Sequence, residues 1–181
     1  MRPTRSPAPR IRLGISACLL GDEVRYDGGH KRDPFLTTVL GPLVEWVKVC
    51  PEVEAGMGTP REPIQLVDDH GVIRLLTVTT GIDHTASMTA YSANKVAALA
   101  AEDLCGFILK AESPSCGPAG VKVHPDAAPA TKTGIGLFAQ ALLARFPDLP
   151  IEDEQGLADA QRRGQFLERV FAYHRLRCQT R

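Results

Sequence analysis

Short apolar runs, separated by stretches with helical periodicity, constrain this chain more than any other feature. RLGISA at residues 12–17, VEWVKV at 44–49 and GFILK at 106–110 have the length of buried strands. Between the second and third, Met88, Tyr91, Lys95, Val96 and Leu99 recur at helical spacing. Asp83 or Thr85 can cap that helix, which is expected to run to about residue 103. Residues 33–40 read as a short helix stopped by Gly41-Pro42, and DDHG between 64–67 and 72–78 is a hairpin signal. Residues 121–124 and 150–153 read as further strands, and 135–145 and 158–177 as helices. In the last helix Phe166, Val170, Tyr173 and Leu176 make one face. Strands alternating with helices predict an α/β fold: a single domain with a mostly parallel sheet and helices on both faces.

The flanks and the overall charge narrow the function classes. Residues 1–10, rich in Pro and Arg, lack the apolar core of a signal peptide and read as a disordered tail before a domain spanning 11–181. No apolar run is long enough for a membrane span, so no membrane partner and a cytoplasmic setting are expected. Lys+Arg equals Asp+Glu at 21 each, so no global basic field points to nucleic acid. Five cysteines, an odd number without an export signal, read as reduced thiols rather than disulfide staples.

Three of those thiols share a context. Cys18 follows RLGISA, Cys50 follows VEWVKV, and Cys116 sits in the loop after GFILK. In open parallel sheets the loops at the carboxyl ends of strands converge on the ligand crevice. Three cysteines distant in sequence are therefore expected to meet on one sheet edge. Their spacing alone is a weak signal, since no CxxC pair exists. The donor set suits a cubane cluster with one iron free of protein ligands, or a zinc ion with an open position. All-thiolate sites favour the iron–sulfur reading, and three buried structural cysteines are the plain alternative. Cys105 and Cys178 read as a packing residue and a residue of the last turn.

Polar residues cluster on the same loops. Glu52 stands two residues after Cys50, in position to carry a proton, and otherwise is a surface carboxylate. Ser113 and Ser115 flank the third cysteine and can polarise a carbonyl-like group or form a turn. Asp27 can bond a substrate N–H or close an Asx-turn. Arg61 can reach a phosphate or pair with Glu62.

SACLLGDEVRYDGGHK, CPEVEAGMGTPREP, TGIDHTASM, CGFILKAESPSCG and GIGLFAQALLARFPDLPIEDE together resemble the thiouracil desulfidase family, over about residues 11–173. The resemblance implies a 4Fe–4S cluster on Cys18, Cys50 and Cys116, with Glu52 and Ser113 as catalytic residues. It implies a hydrolytic, non-redox removal of sulfur from a small thiolated pyrimidine or nucleotide. PIEDEQGLADAQRRGQFLERVFAYHR is similar to the junction in longer relatives, where a helical domain associated with 4-thiouridine in tRNA follows. The chain ends at Arg181, so free thiouracil, thiouridine or its monophosphate are expected before tRNA. A non-catalytic iron–sulfur or zinc carrier is the alternative function.

Overall fold

A computed structural model describes residues 11–125 and 128–179; the expected tail at 1–10 lies outside the described residues. The strands are β1 (Arg12–Ser16), β2 (Glu45–Val49), β3 (Ile64–Asp69), β4 (Val72–Thr77), β5 (Leu104–Leu109), β6 (Val121–Pro125), β7 (Thr131–Gly134) and β8 (Ile151–Asp153). The helices are α1 (Pro51–Glu54), α2 (Thr85–Leu99), α3 (Leu137–Arg145), α4 (Glu154–Ala158) and α5 (Ala160–Gln179). The short helix expected at 33–40 is a π-helical turn over Phe35–Leu40, begun where Asp33 Oδ1 accepts the Leu36 amide at 3.0 Å.

Strands in the order β2-β1-β5-β8 form a wholly parallel sheet. Every residue of the central strand β5 is buried, as expected for a strand covered on both faces. A register shift between Arg12 and Leu13 admits one extra residue in β5. That bulge puts Leu104, Phe107 and Leu109 on one face and Cys105 and Ile108 on the other. The first face packs on Val96 and Leu99 of α2 and Phe138 and Leu142 of α3. The second packs on Phe166 and Val170 of α5. The α/β fold with helices on both faces of a parallel sheet is therefore realised.

A second sheet, in the order β4-β3-β6-β7, adds what the strand pattern alone left unassigned. The DDHG hairpin joins β3 to β4, with His70 and Gly71 both at positive φ as a tight two-residue turn demands. β6 then pairs parallel to β3 and antiparallel to β7. Leu66, Leu75, Val121 and Val123 of this sheet pack on Met88. Helix α2 thus serves both sheets, with Tyr91 in contact with both cores. Among the described residues no helix is long and apolar enough to cross a membrane.

β1 and β5 approach closely because Gly14 has no side chain. A Cβ there would lie 2.2 Å from the ring of fully buried Phe107, its cross-strand partner. Gly14→Ala is expected to destabilise the fold by about 3 kcal/mol, the upper range for overpacking a core. Urea denaturation at unchanged slope measures it; wild-type stability in the variant would mean the ring can move aside.

Candidate functional site

The parallel strands β1, β2 and β5 end on one side of the sheet, and their following loops wall a cavity of about 600 Å³. Cys18 enters it from a 3₁₀ turn, Ala17–Leu20, that starts where β1 stops. Cys50 is the residue between β2 and α1. Cys116 lies in the turn after β5. All three sulfurs are free thiols. Cys105 is buried in the core, with its Sγ 3.4 Å from His174 Nδ1, and exposed Cys178 lies 3.7 Å from His174 Nε2. Neither lines the cavity.

Local hydrogen bonds explain each loop's shape. The Cys18 carbonyl accepts the amides of Gly21 and Lys31, which folds the long first loop back over the strand end. The Cys50 amide donates to Glu54 Oε1 at 2.9 Å, while Glu54 Oε2 takes Tyr91 Oη and Lys95 Nζ of α2. Ser113 Oγ accepts the amides of Ser115 and Cys116 at 3.2 and 3.0 Å, so it forms the turn that presents Cys116. The carbonyls of Pro114 and Ser115 then accept the first amides of α3, from Leu137, Phe138 and Ala139. Gly136 permits that docking: a Cβ there would stand 2.4 Å from the Ser115 backbone.

Burial pushes the Cys18 thiol from an ordinary 9 up to about 11, and the nearby Cys50 adds to the shift. Burial likewise raises Cys50 and raises Cys116 well above the ordinary thiol value. A hydrogen bond from Ser16 opposes the shift at Cys116, while Glu52, Cys18 and Cys50 reinforce it. The three thiols therefore share one electrostatic environment.

Glu52 lines the cavity and is held on both carboxylate oxygens. Ser115 Oγ donates to Oε1 at 2.7 Å; Arg61 Nε donates to Oε2 at 2.8 Å, joined there by Nη2. Arg61 thus pairs with Glu52, and Glu62 instead accepts the Thr80 amide and hydroxyl. The remaining Arg61 donors reach the carbonyls of Val24 and Gly58 and the hydroxyl of Thr59. Ser115 is fully buried behind the cavity wall. Asp27 is exposed, off the cavity wall, and closes a turn by accepting the Gly29 amide at 3.0 Å. A second pair, Lys110 with Glu154, also lines the cavity, where Glu154 Oε2 accepts the Ala111 amide at 2.7 Å. Both residues stand just past strand ends, so the carboxyl-end rule that selected the cysteines also reaches them.

Thiolate is the reactive form, so the raised thiols predict an alkylation order. In the reduced protein at pH 8, iodoacetamide is expected to label exposed Cys178 first and Cys18 and Cys116 last. Peptide mass mapping over time reads the order, and early labelling of Cys116 would contradict it.

Comparison with known proteins bears on this cavity. YbbK of Bacillus subtilis (strain 168), described as an uncharacterized protein, is 31% identical over 109 residues, covering 57% of this chain and 71% of its own length. The solved structure of the 4Fe–4S-dependent thiouracil desulfidase TudS superposes with a TM-score of 0.64 at 31% identity, over 82% of this chain and 94% of that one. The profile of a family described as 2-thiouracil desulfurase matches residues 13–154. That match begins in β1, ends at the first residue of α4 and takes in all three cysteine loops, so the chain belongs to the 2-thiouracil desulfurase family.

Proposed function

We propose that this chain is a non-redox, iron–sulfur-dependent desulfidase that hydrolyses the thiocarbonyl of small thiolated pyrimidines. The observation that carries the reading is the meeting of Cys18, Cys50, Cys116 and Glu52 on the wall of one cavity. Family membership and the cluster dependence of TudS support it.

The donor set fits a cluster. Three thiols with no histidine among the lining residues are soft donors of the kind that hold iron–sulfur centres. Among the described residues no three His, Cys, Asp or Glu side chains are grouped so as to hold a single metal ion. Cys18, Cys50 and Cys116 would hold the cluster. A cluster bound through three cysteines supplies a Lewis-acidic iron without a protein ligand, suited to a thiocarbonyl sulfur.

The chain's own residues account for the remaining chemistry. Cys18 and Cys116 are buried at the cavity wall, and Cys50 is half-buried. Glu52 takes a proton from the attacking water, whose oxygen bonds the ring carbon. It then returns that proton to sulfur as the carbon–sulfur bond breaks with its electron pair on sulfur, while the hydroxyl left on the ring carbon gives up its own proton, which ends on the departing sulfide, and becomes the carbonyl. The net change converts C=S and water into C=O and hydrogen sulfide, with no change of oxidation state. Ser113 lines the cavity, and its oxygen already accepts two amides, so its O–H is left to donate to the ring. Of the four described cations that line the cavity, Arg61, Lys110 and Arg25 already pair with Glu52, Glu154 and Asp27, and Lys31 is the fourth. That pairing suits a small ring such as thiouracil, 4-thiouridine or its monophosphate better than a tRNA, whose binding needs several phosphate contacts. Reduced thiols and an oxidisable cluster fit a cytoplasmic setting.

Anaerobic reconstitution tests the reading. Alanine at Cys18, Cys50 or Cys116 is expected to abolish both the brown visible absorbance and turnover. Glu52→Gln should keep the colour and lose turnover by about 100-fold or more, the usual range for a proton-transfer group. A colourless wild type carrying zinc would refute the cluster, and full turnover in Glu52→Gln would remove that carboxylate from the reaction. At matched thiocarbonyl concentration, loss of thiopyrimidine absorbance should be faster with 4-thiouracil than with thiolated tRNA; the reverse order would show that the cavity reads RNA.

A further inference from the structure

We infer that Arg61 and Ser115 are positioning residues that fix the Glu52 carboxylate and leave Oε1 as its proton-accepting oxygen. The inference rests on the role proposed above for Glu52.

An ionised carboxylate offers about four acceptor sites, two on each oxygen. Arg61 fills Oε2 with two N–H groups, from Nε and Nη2. Ser115 fills one site of Oε1. One site remains, on Oε1, and that is where a water can deliver its proton.

Neither partner is free to act on substrate directly. The five N–H donors of Arg61 are all engaged within the protein, on four acceptor atoms: Glu52 Oε2, which takes two, the carbonyls of Val24 and Gly58, and Thr59 Oγ1. Its side chain is 7% exposed and that of Glu52 15%, so water competes weakly for the pair. Ser115 is 0% exposed, and its hydroxyl proton is committed to Glu52. The two residues also reach Glu52 from separate loops. Arg61 carries the Gly58–Thr59 segment and the Val24 carbonyl of the first loop. Ser115 belongs to the Cys116 turn. The carboxylate is therefore triangulated by the loops that present Cys18, Cys50 and Cys116, and its place is tied to theirs. A base that must meet a water aligned on the ring carbon gains from such fixing, because small misplacements of a reacting group slow the reaction steeply.

A double-mutant cycle on the cluster-loaded protein separates positioning from direct contact. Arg61→Lys keeps the charge and loses the fork. It is expected to lower kcat by about 10- to 100-fold, as loss of an outer hydrogen-bond partner commonly does. KM, cluster absorbance per chain and the Kd for uracil by calorimetry should stay within about twofold of wild type. Combined with Glu52→Gln it should be no slower than Glu52→Gln alone, because both act through one group. Losses that multiply in the double variant, or weakened uracil binding, would overturn the inference and make Arg61 a substrate contact. Should Arg61→Lys fail to fold or load, Ser115→Ala decides. It removes one buried oxygen and is expected to lower kcat by about tenfold, again with no further loss on Glu52→Gln, while Ser115→Thr restores part of the rate. Unchanged kcat in Ser115→Ala would overturn it. A Glu52→Gln variant with normal turnover would instead refute the proposed reaction.

Discussion

Parallel pairing of β1 between β2 and β5 is the constraint on which the rest depends. Strands that run the same way and pair in register end at one level, so whatever follows them in sequence is delivered to one side. β1 sits so close to β5 because Phe107 lies over Gly14, and the bulge at the start of β5 lets the strand serve two cores. Burial of the central strands pins that arrangement, and three loops of unrelated sequence then meet around one cavity without any motif linking them locally.

The same geometry explains why part of the site was legible in the sequence and part was not. The strands at 12–17, 44–49 and 106–110, the DDHG turn and the cavity position of the three cysteines follow from local pattern and the carboxyl-end rule. So does the helix after Thr85, although Asp103, at φ 53, falls in the turns beyond the end of α2. β6 was read as a strand, but its pairing with β3 spans 50 residues or more of chain, which periodicity does not encode, and the polar, mostly exposed β7 carries no apolar alternation. Arg61 shows the limit most clearly. Its neighbour Glu62 is the obvious partner on spacing, yet adjacent side chains on an extended segment point apart, and Arg61 meets Glu52 nine residues away. Asp27 closes its turn on the Gly29 amide, an arrangement that the local Asp-Gly-Gly run offers by itself.

Two ion pairs line a cavity that also holds two buried thiols and the half-buried Cys50, an expensive collection of polar groups for a fold of this size. Such pairs add little net stability, because desolvation offsets their attraction, but losing one partner leaves a stranded charge. Their presence beside the thiols is better explained by geometry than by stability. Glu154 fixes the backbone after β5 through the Ala111 amide, and Glu54 fixes the Cys50 turn against α2. The Cys50 and Cys116 loops thus each have a carboxylate or hydroxyl that sets the backbone, while the Cys18 loop is folded by its own carbonyl.

The docking of the Cys116 turn on α3 ties two kinds of order together. The amides of Leu137, Phe138 and Ala139, which an isolated helix would leave without partners, are satisfied only while Pro114 and Ser115 stay in place. Fraying of the helix start and opening of the thiol turn are then one cooperative event, a single local unfolding unit. Anything that grips Cys116 winds the first turn of α3 more tightly. Hydrogen exchange at those three amides accordingly becomes a gauge of what the cavity holds, readable without any turnover at all.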